Sequence, residues 1–392
     1  MSYQRSMRRN PRDNNNQSQI QSVIISSPDK TLLIVVAFLV IIGFLAIFSA
    51  TAPKCLDEGG NPAQFLIKQL ICFVVGFFGL KFFMNYDYKK LADWNVIIMS
   101  AILLSLFLVD FTPLGVVVNG AKRWINIAGF QLQPSEFAKP AVVLLLANAF
   151  RKDANLFDQN KWVWAFFPII AMAGLIFIQP NLSMVILLGM TTVVMYMAAG
   201  GSMKLFLSCV GTMFVTVVIG LTTIIKPYQL QRLKTWRHPE SDPLGAGYNI
   251  IQSKLAIGAG QIFGMGLLKG NQTQLGYLYP KTTDFIFAVI GEEMGFIVAG
   301  AVIILYVVLI TKAIYVAKTA KNDIGSYIAA GIAGIFFFHM VENIGMTMGL
   351  LPITGIPLPF VSYGGSSMLT NCILIAILLN ISGRRQKAMF RE

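Results

Sequence analysis

The feature that most constrains this chain is a succession of apolar runs of roughly 18 to 25 residues, long enough to cross about 30 Å of hydrocarbon at 1.5 Å per helical residue. They fall at residues 32–50, 65–84, 94–111, 136–150, 162–179, 184–199, 205–225, 285–311, 327–350 and 368–381. The pattern predicts an all-α polytopic membrane protein of about ten transmembrane helices. Composition agrees, because 55% hydrophobic and 12% charged residues describe no ordinary soluble protein. At 392 residues, length therefore counts helices and not domains.

Residues 1–28 are rich in Asn, Gln and Ser, carry Arg5, Arg8, Arg9 and Arg12, and have no apolar core. They read as a disordered tail. The first apolar run is too long for a signal-peptide core and lacks a small-residue cleavage pattern, so it is expected to stay as the first transmembrane helix. Residues 29–383 then form one transmembrane domain, and 384–392 a short second tail. With the Arg-rich tail in the cytoplasm, Lys89, Lys90, the 151–161 loop, Lys204, Lys318, Lys321, Arg384, Arg385 and Lys387 fall on the same side. This is the positive-inside bias, and it predicts both termini cytoplasmic.

Outside lie loops 51–64 and 112–135, a tight turn at Pro180–Asn181, the long segment 226–284 between helices 7 and 8, and 351–367. A structureless loop as long as 226–284 is improbable in a compact protein. Its stretch IIQSKLAIGAGQIFGMGLL is too interrupted by glycine to span and apolar enough to lie in the interface, so short interfacial or re-entrant elements are expected there.

The net charge of +13 is spread through loops, which points to anionic lipid and away from nucleic acid. Cys55, Cys72, Cys209 and Cys372 are isolated, with no spacing for a disulfide framework or zinc, and read as buried packing residues. Two histidines, His238 and His339, argue against a histidine-rich metal site.

Three acids stand out in YPKTTDFIFAVIGEEMGF. Asp284 lies where the outer loop meets a helix. It reads either as an N-cap or as a general base acting on an amphiphile at the membrane surface. Glu292 and Glu293 lie two to three turns further in. They read as the wall of a polar cavity or as partners of Lys68, Lys81 or Lys139. In NGAKRWINIAGFQLQPSEFAK, Lys122, Arg123 and Trp124 form a cation–aromatic cluster suited to a phosphate or a sugar face, or to plain interfacial anchoring. Pro134 and Glu136 mark a helix start, and Lys139 lies about one turn inside, where a cation needs an acid or an anionic ligand. The Pro- and Gly-rich LPITGIPLPFVSYGGSS has to fold over or into a cavity. Its serines lack the histidine and acid partners of a covalent nucleophile.

Together, KRWINIAGFQLQPSEFAK, DPLGAGYNIIQSKLAIG, TDFIFAVIGEEMGF and GIPLPFVSYGGSS resemble the RodA/FtsW (SEDS) family, in order and from the first helix to the last. The resemblance implies a peptidoglycan glycosyltransferase of the bacterial cytoplasmic (inner) membrane, with its active site on the extracytoplasmic face. Such an enzyme polymerises lipid II onto the growing glycan chain beside a class B penicillin-binding protein. Asp284 matches the family's essential acid. Arg123, Trp124, Gln133, Pro134, Ser135, Glu136 and Lys139 match its second outer motif, and Glu292 and Glu293 its paired acids. Gly355, Pro357, Pro359, Ser362, Gly364, Gly365 and Ser366 match its third.

The expected step is an inverting displacement of undecaprenyl pyrophosphate with Asp284 as base. Lys122, Arg123, Arg232, Lys234 and Arg237 would face the leaving group, with Mg²⁺ or Mn²⁺ as its counter-ion and no organic cofactor. Trp124, Glu136, Lys139, Glu292, Ser362 and Ser366 complete the expected substrate site. GNQTQLGYLYPKTTDF is closer to the RodA side, which implies cell-wall elongation and cell shape. The alternatives are an FtsW-type division polymerase, a lipid II flippase, or a scaffold for wall synthesis. The chain departs from the family pattern at Thr282, Asn181 and His238.

Overall fold

The structure, a computed structural model, describes residues 28–57, 59–118, 120–127, 129–152, 162–204, 207–208, 211, 235–242 and 245–384. The expected tail 1–28 (save its last residue), most of the run 205–225, the cations Arg232 and Lys234, and Cys209 lie outside them. Helices dominate: α1 (Lys30–Asp57), α2 (Gln64–Asn85), α3 (Tyr88–Asp93), α4 (Asn95–Phe111), α5 (Pro134–Lys152), α6 (Trp162–Ile178) and α7 (Leu182–Ala198). After them come α8 (Ala246–Ala259), α9 (Asn271–Gln274), α10 (Ile286–Thr319), α11 (Asp323–Thr347) and α12 (Gly365–Gly383). Among the described residues five helices, α1, α2, α10, α11 and α12, are long and apolar enough to cross a membrane, and α4, α6 and α7 are shorter apolar helices. The protein is a multi-pass membrane protein.

Apolar side chains such as Phe78, Val96, Ile97, Phe296 and Ile304 point outward and are more than half exposed. Such a surface suits hydrocarbon and not water. Inside the bundle, α5 is buried along most of its length through Ala138, Ala141, Val142, Leu146 and Ala147. It packs against α4, α7, α11 and α12. Cys55, Cys72 and Cys372 are buried and unpaired, as expected.

Chain direction puts Asp29, Asp87, Asp93 and Arg384 at the end of the bundle opposite Asp284. Asp29 caps α1 by accepting from Thr31 N at 3.0 Å, and pairs with Lys312 at 3.2 Å. Arg384 meets Asp87, and Arg151 meets Asp93, each at 3.0 Å. These pairs tie the helix ends together where the sequence concentrates basic residues.

The fold is all-α in its spanning part, as expected, and a short ribbon is added in one outer loop. Within 112–135 the chain forms a three-stranded antiparallel sheet, β1 (Gly115–Val118), β2 (Ala121–Ile127) and β3 (Phe130–Leu132), in the order β1-β2-β3. Gly120 and Gly129 take the positive φ of the two turns, 76° and 85°. Val116 pairs with Trp124 and Ile125 with Leu132, so the ribbon delivers the chain to Pro134 at the start of α5.

The described part of 226–284 contains a 3₁₀ turn (Pro239–Ser241), α8 and α9. They meet α10 where it breaks at Gly295, whose φ of 75° and ψ of −176° are open only to glycine. A break at membrane depth frees polar backbone groups that lipid cannot satisfy. Loop 260–266 satisfies them. Glu292 and Glu293 carbonyls accept from Met265 N and Gly266 N, and Phe296 N and Ile297 N donate to Gln261 O and Ile262 O. The approach is close enough that a β-carbon on Gly264 would lie 2.2 Å from Glu293 O, and one on Gly295 2.3 Å from Gly264 N.

Gly264→Ala or Gly295→Ala should therefore lower the thermal unfolding temperature in detergent, by a loss of about 1–3 kcal/mol for the backbone conformation alone. Gly300→Ala, on the same helix with open space around it, should not. Equal unfolding temperatures for all three would contradict the account of the break.

Candidate active site

The site is built around loop 351–364, which runs from α11 to α12. Helices α7 and α11, the 282–284 segment and Gln69 of α2 all bond to it.

Asp284 precedes the N-cap of α10, which is Phe285, so it stands one residue before the expected capping position. Its own carbonyl accepts from Asn343 Nδ2 at 2.9 Å. The two preceding carbonyls are also held: Thr282 O by Tyr363 N at 2.9 Å, and Thr283 O by Ser362 Oγ at 2.6 Å. Three successive peptide units are thus fixed by the third motif and by α11. The half-buried carboxylate lies against Gly355, whose φ of 75° turns the loop over it.

Ser362 and Ser366, expected at the substrate, both bind backbone. Ser362 Oγ accepts from Leu358 N at 2.8 Å while donating to Thr283 O. Ser366 Oγ accepts from Gln133 N at 2.8 Å and donates to Gln131 O at 3.2 Å, joining the start of α12 to the ribbon below α5.

Lys139 is fully buried. It pairs with Glu136 at 2.7 Å and meets His339 Nε2 at 3.2 Å. This corrects the pairing of Lys139 with Glu292 or Glu293. Those acids hold the outer loop instead. Glu292 accepts from Gln272 N, Thr273 N and Thr273 Oγ1 at 2.7, 2.9 and 2.6 Å, and so caps the one-turn helix α9. Glu293 accepts from Gln274 Nε2 at 2.6 Å. Both are buried, and a β-carbon on Gly270 would lie 2.7 Å from the Glu292 carboxylate. Glu292 is therefore a clamp on GNQTQ. Lys281 Nζ donates to Thr273 O at 2.6 Å, which closes this loop just before Asp284.

The outer cations are likewise engaged with backbone. Lys122 Nζ donates to Thr112 O at 2.8 Å and to Asp110 O at 3.3 Å, at the C-terminal end of α4. Arg123 Nε and Nη2 donate to Gln179 O at 2.6 Å and Pro180 O at 2.5 Å, bracing the turn between α6 and α7. Trp124 is half-buried on β2, and Arg237 is exposed beside the 3₁₀ turn. At the α6–α7 turn, Asn181 caps α7 through Met184 N, and Ser183 Oγ reaches Thr354 O at 2.6 Å. His238 is exposed, with its carbonyl accepting from Ser241 Oγ.

Residues that the sequence reading passed over complete the scaffold. Gln69, on α2, donates to Ser362 O and accepts from Gly364 N. Asn343 bridges Asp284 O and Ile356 O, Tyr306 OH donates to Pro359 O, and His339 Nδ1 meets Pro357 O at 3.0 Å. Each is a polar side chain in an apolar helix, and that cost is the one signal that could have drawn attention to them.

Residues 29–387 match the family described as "Cell cycle protein", FTSW_RODA_SPOVE. "Probable peptidoglycan glycosyltransferase FtsW" of Trichlorobacter lovleyi is 38% identical over 359 residues, covering 90% of this chain and 93% of that protein. "Peptidoglycan glycosyltransferase MrdB" of Escherichia coli K12 is 32% identical over 362 residues, covering 91% and 94%. A chain from the structure titled "Structural coordination of polymerization and crosslinking by a peptidoglycan synthase complex" superposes with a TM-score of 0.75 at 26% identity, over 92% of this chain and 99% of that one. With the motifs, the fold and these relatives in agreement, the chain belongs to the RodA/FtsW (SEDS) family of peptidoglycan glycosyltransferases.

Proposed function

We propose that this enzyme polymerises lipid II on the extracytoplasmic face by a single inverting displacement with Asp284 as general base. A sugar hydroxyl of one lipid-linked disaccharide attacks the anomeric carbon of the growing chain. The new C–O bond forms as the bond to undecaprenyl pyrophosphate breaks. The hydroxyl proton passes to the Asp284 carboxylate, and the electron pair leaves with the pyrophosphate. The observation that carries this reading is the fixed backbone at 282–284, with all three carbonyls held and the carboxylate turned against Gly355. A base acts only when held within hydrogen-bond reach of its proton, and rigid support of that kind supplies the precision.

The leaving pyrophosphate needs positive charge. Lys122 and Arg123 each spend hydrogen bonds on backbone carbonyls, which leaves their charge to act as a fixed field near the ribbon. Arg232, Lys234 and Arg237 stay in the proposal as the cations of the outer loop. Mg²⁺ or Mn²⁺ stays in it as an ion carried by the pyrophosphate. Among the described residues no three His, Cys, Asp or Glu side chains converge on one point.

The partner in this reading is a crosslinking class B penicillin-binding protein, supported by the synthase complex that a related chain forms. For the biological role, GNQTQL favours elongation, while the 38% identity to an FtsW-named relative favours division. Depletion decides between them: loss of rod shape supports elongation, and filamentation supports division.

Asp284→Asn should lower polymer formation from purified protein and lipid II by about 10²- to 10⁴-fold without changing the unfolding temperature. Undiminished polymer from a folded Asn variant would remove Asp284 as the base. Ser362→Ala deletes two backbone contacts and should lower stability by about 1–3 kcal/mol together with turnover. An unchanged unfolding temperature with a raised KM for lipid II would instead put Ser362 on the substrate.

A further inference from the structure

We propose that His339 is a positioning residue for polymerisation, a neutral imidazole protonated on Nδ1 that links buried Lys139 to loop 351–364. The inference rests on the reading of Asp284 as base.

Lys139 is fully buried and ion-paired with Glu136, so its side chain is an ammonium with three donors and no lone pair. The 3.2 Å contact with His339 Nε2 can be a hydrogen bond only if Nε2 accepts. The ring proton then sits on Nδ1, which faces Pro357 O at 3.0 Å and donates to it. Both contacts are satisfied by this one tautomer. The other tautomer would set an N–H against the ammonium and a lone pair against the carbonyl. A second proton would likewise set His339 against Lys139, the one charged side chain in hydrogen-bond contact with the ring among the described residues.

The consequence reaches Asp284 through α11. Asn343 lies one turn beyond His339 on the same helix and bonds both Asp284 O and Ile356 O, at 2.9 and 2.8 Å. His339 and Asn343 therefore hold two successive loop carbonyls, 356 and 357, while Asn343 also holds the segment of the base. If the ring is removed, Lys139 loses one of its two partners and Pro357 O loses its donor. The strip of loop that overlies Asp284 then loses its connection through the ring to Lys139 of α5. No substrate contact is needed for this effect.

Glutamine can offer a carbonyl oxygen to Lys139 and an amide N–H to Pro357, whereas phenylalanine fills the ring volume and offers neither. With purified protein and lipid II, His339→Phe should lower kcat by about 10-fold or more with KM little changed, as expected for lost positioning. His339→Gln should recover most of that loss at the same unfolding temperature. If the Phe variant does not fold, His339→Asn replaces it, since its amide is too short to bridge both partners and should lose turnover where Gln does not. Wild-type kcat in a folded His339→Phe protein, or a Gln variant no better than the folded Phe or Asn variant, would overturn the proposal. These comparisons keep Asp284 intact, so an active Asp284→Asn enzyme would remove the base reading without altering their outcome.

Discussion

Everything near the site depends on satisfying the backbone of loop 351–364. Its prolines and glycines forbid a helix, and its buried residues Ile356, Leu358, Phe360 and Val361 hold it inside the bundle. Irregular backbone in such a place has to be satisfied by protein. Ser183 covers Thr354 O, Asn343 covers Ile356 O, His339 covers Pro357 O, Tyr306 covers Pro359 O and Gln69 covers Ser362 O. Five side chains from α2, α7, α10 and α11 are therefore committed to one stretch of main chain. Gly43 of α1 completes the enclosure, because a β-carbon there would lie 2.7 Å from Val361 Cα. The helices are arranged so that this loop can be irregular.

The second break in regular structure follows the same logic with different means. At Gly295 the orphaned groups of α10 are met by main chain from loop 260–266, and glycines at 260, 264 and 295 allow the approach. The two acids just before the break then reach sideways to α9, so helix, loop and one-turn cap lock together around Glu292. Glu292 meets two backbone N–H groups and a hydroxyl, which satisfy its buried oxygens. The paired acids of α10 hold the segment leading to Asp284.

The five membrane-length helices among the described residues were legible because apolar length is a local property. The ribbon at 115–132 was not, although Asn119–Gly120 between VVV and AKRWINI is a hairpin signal. The membrane-helix pattern on both sides outweighed it. At the site, the sequence identified Asp284, Glu136 and Lys139 but not their partners. A partner such as His339 lies 200 positions from Lys139, and nothing local records that distance. Lys122, Arg123, Ser362 and Ser366 drew attention as polar residues in outer motifs, yet the hydrogen bonds described above for these four go to backbone atoms. Polar type shows that a group must be satisfied, and only the fold shows by what. The departures at Asn181 and His238 are absorbed locally, one as a helix cap and the other at an exposed turn.

The buried Glu136–Lys139 pair adds a last constraint. Desolvating two charges can offset most of their attraction, so such a pair is weak support for stability taken alone. Here each end of the pair is tied to the loop's surroundings. Glu136 sits in the first turn of α5, whose start is joined to α12 through Gln133 and Ser366, and Lys139 reaches the loop through His339. A shift of α5 along its axis would therefore strain both connections at once. The ion pair works as a register mark between α5 and the 351–364 loop, and through Asn343 that register extends to the carbonyl of Asp284.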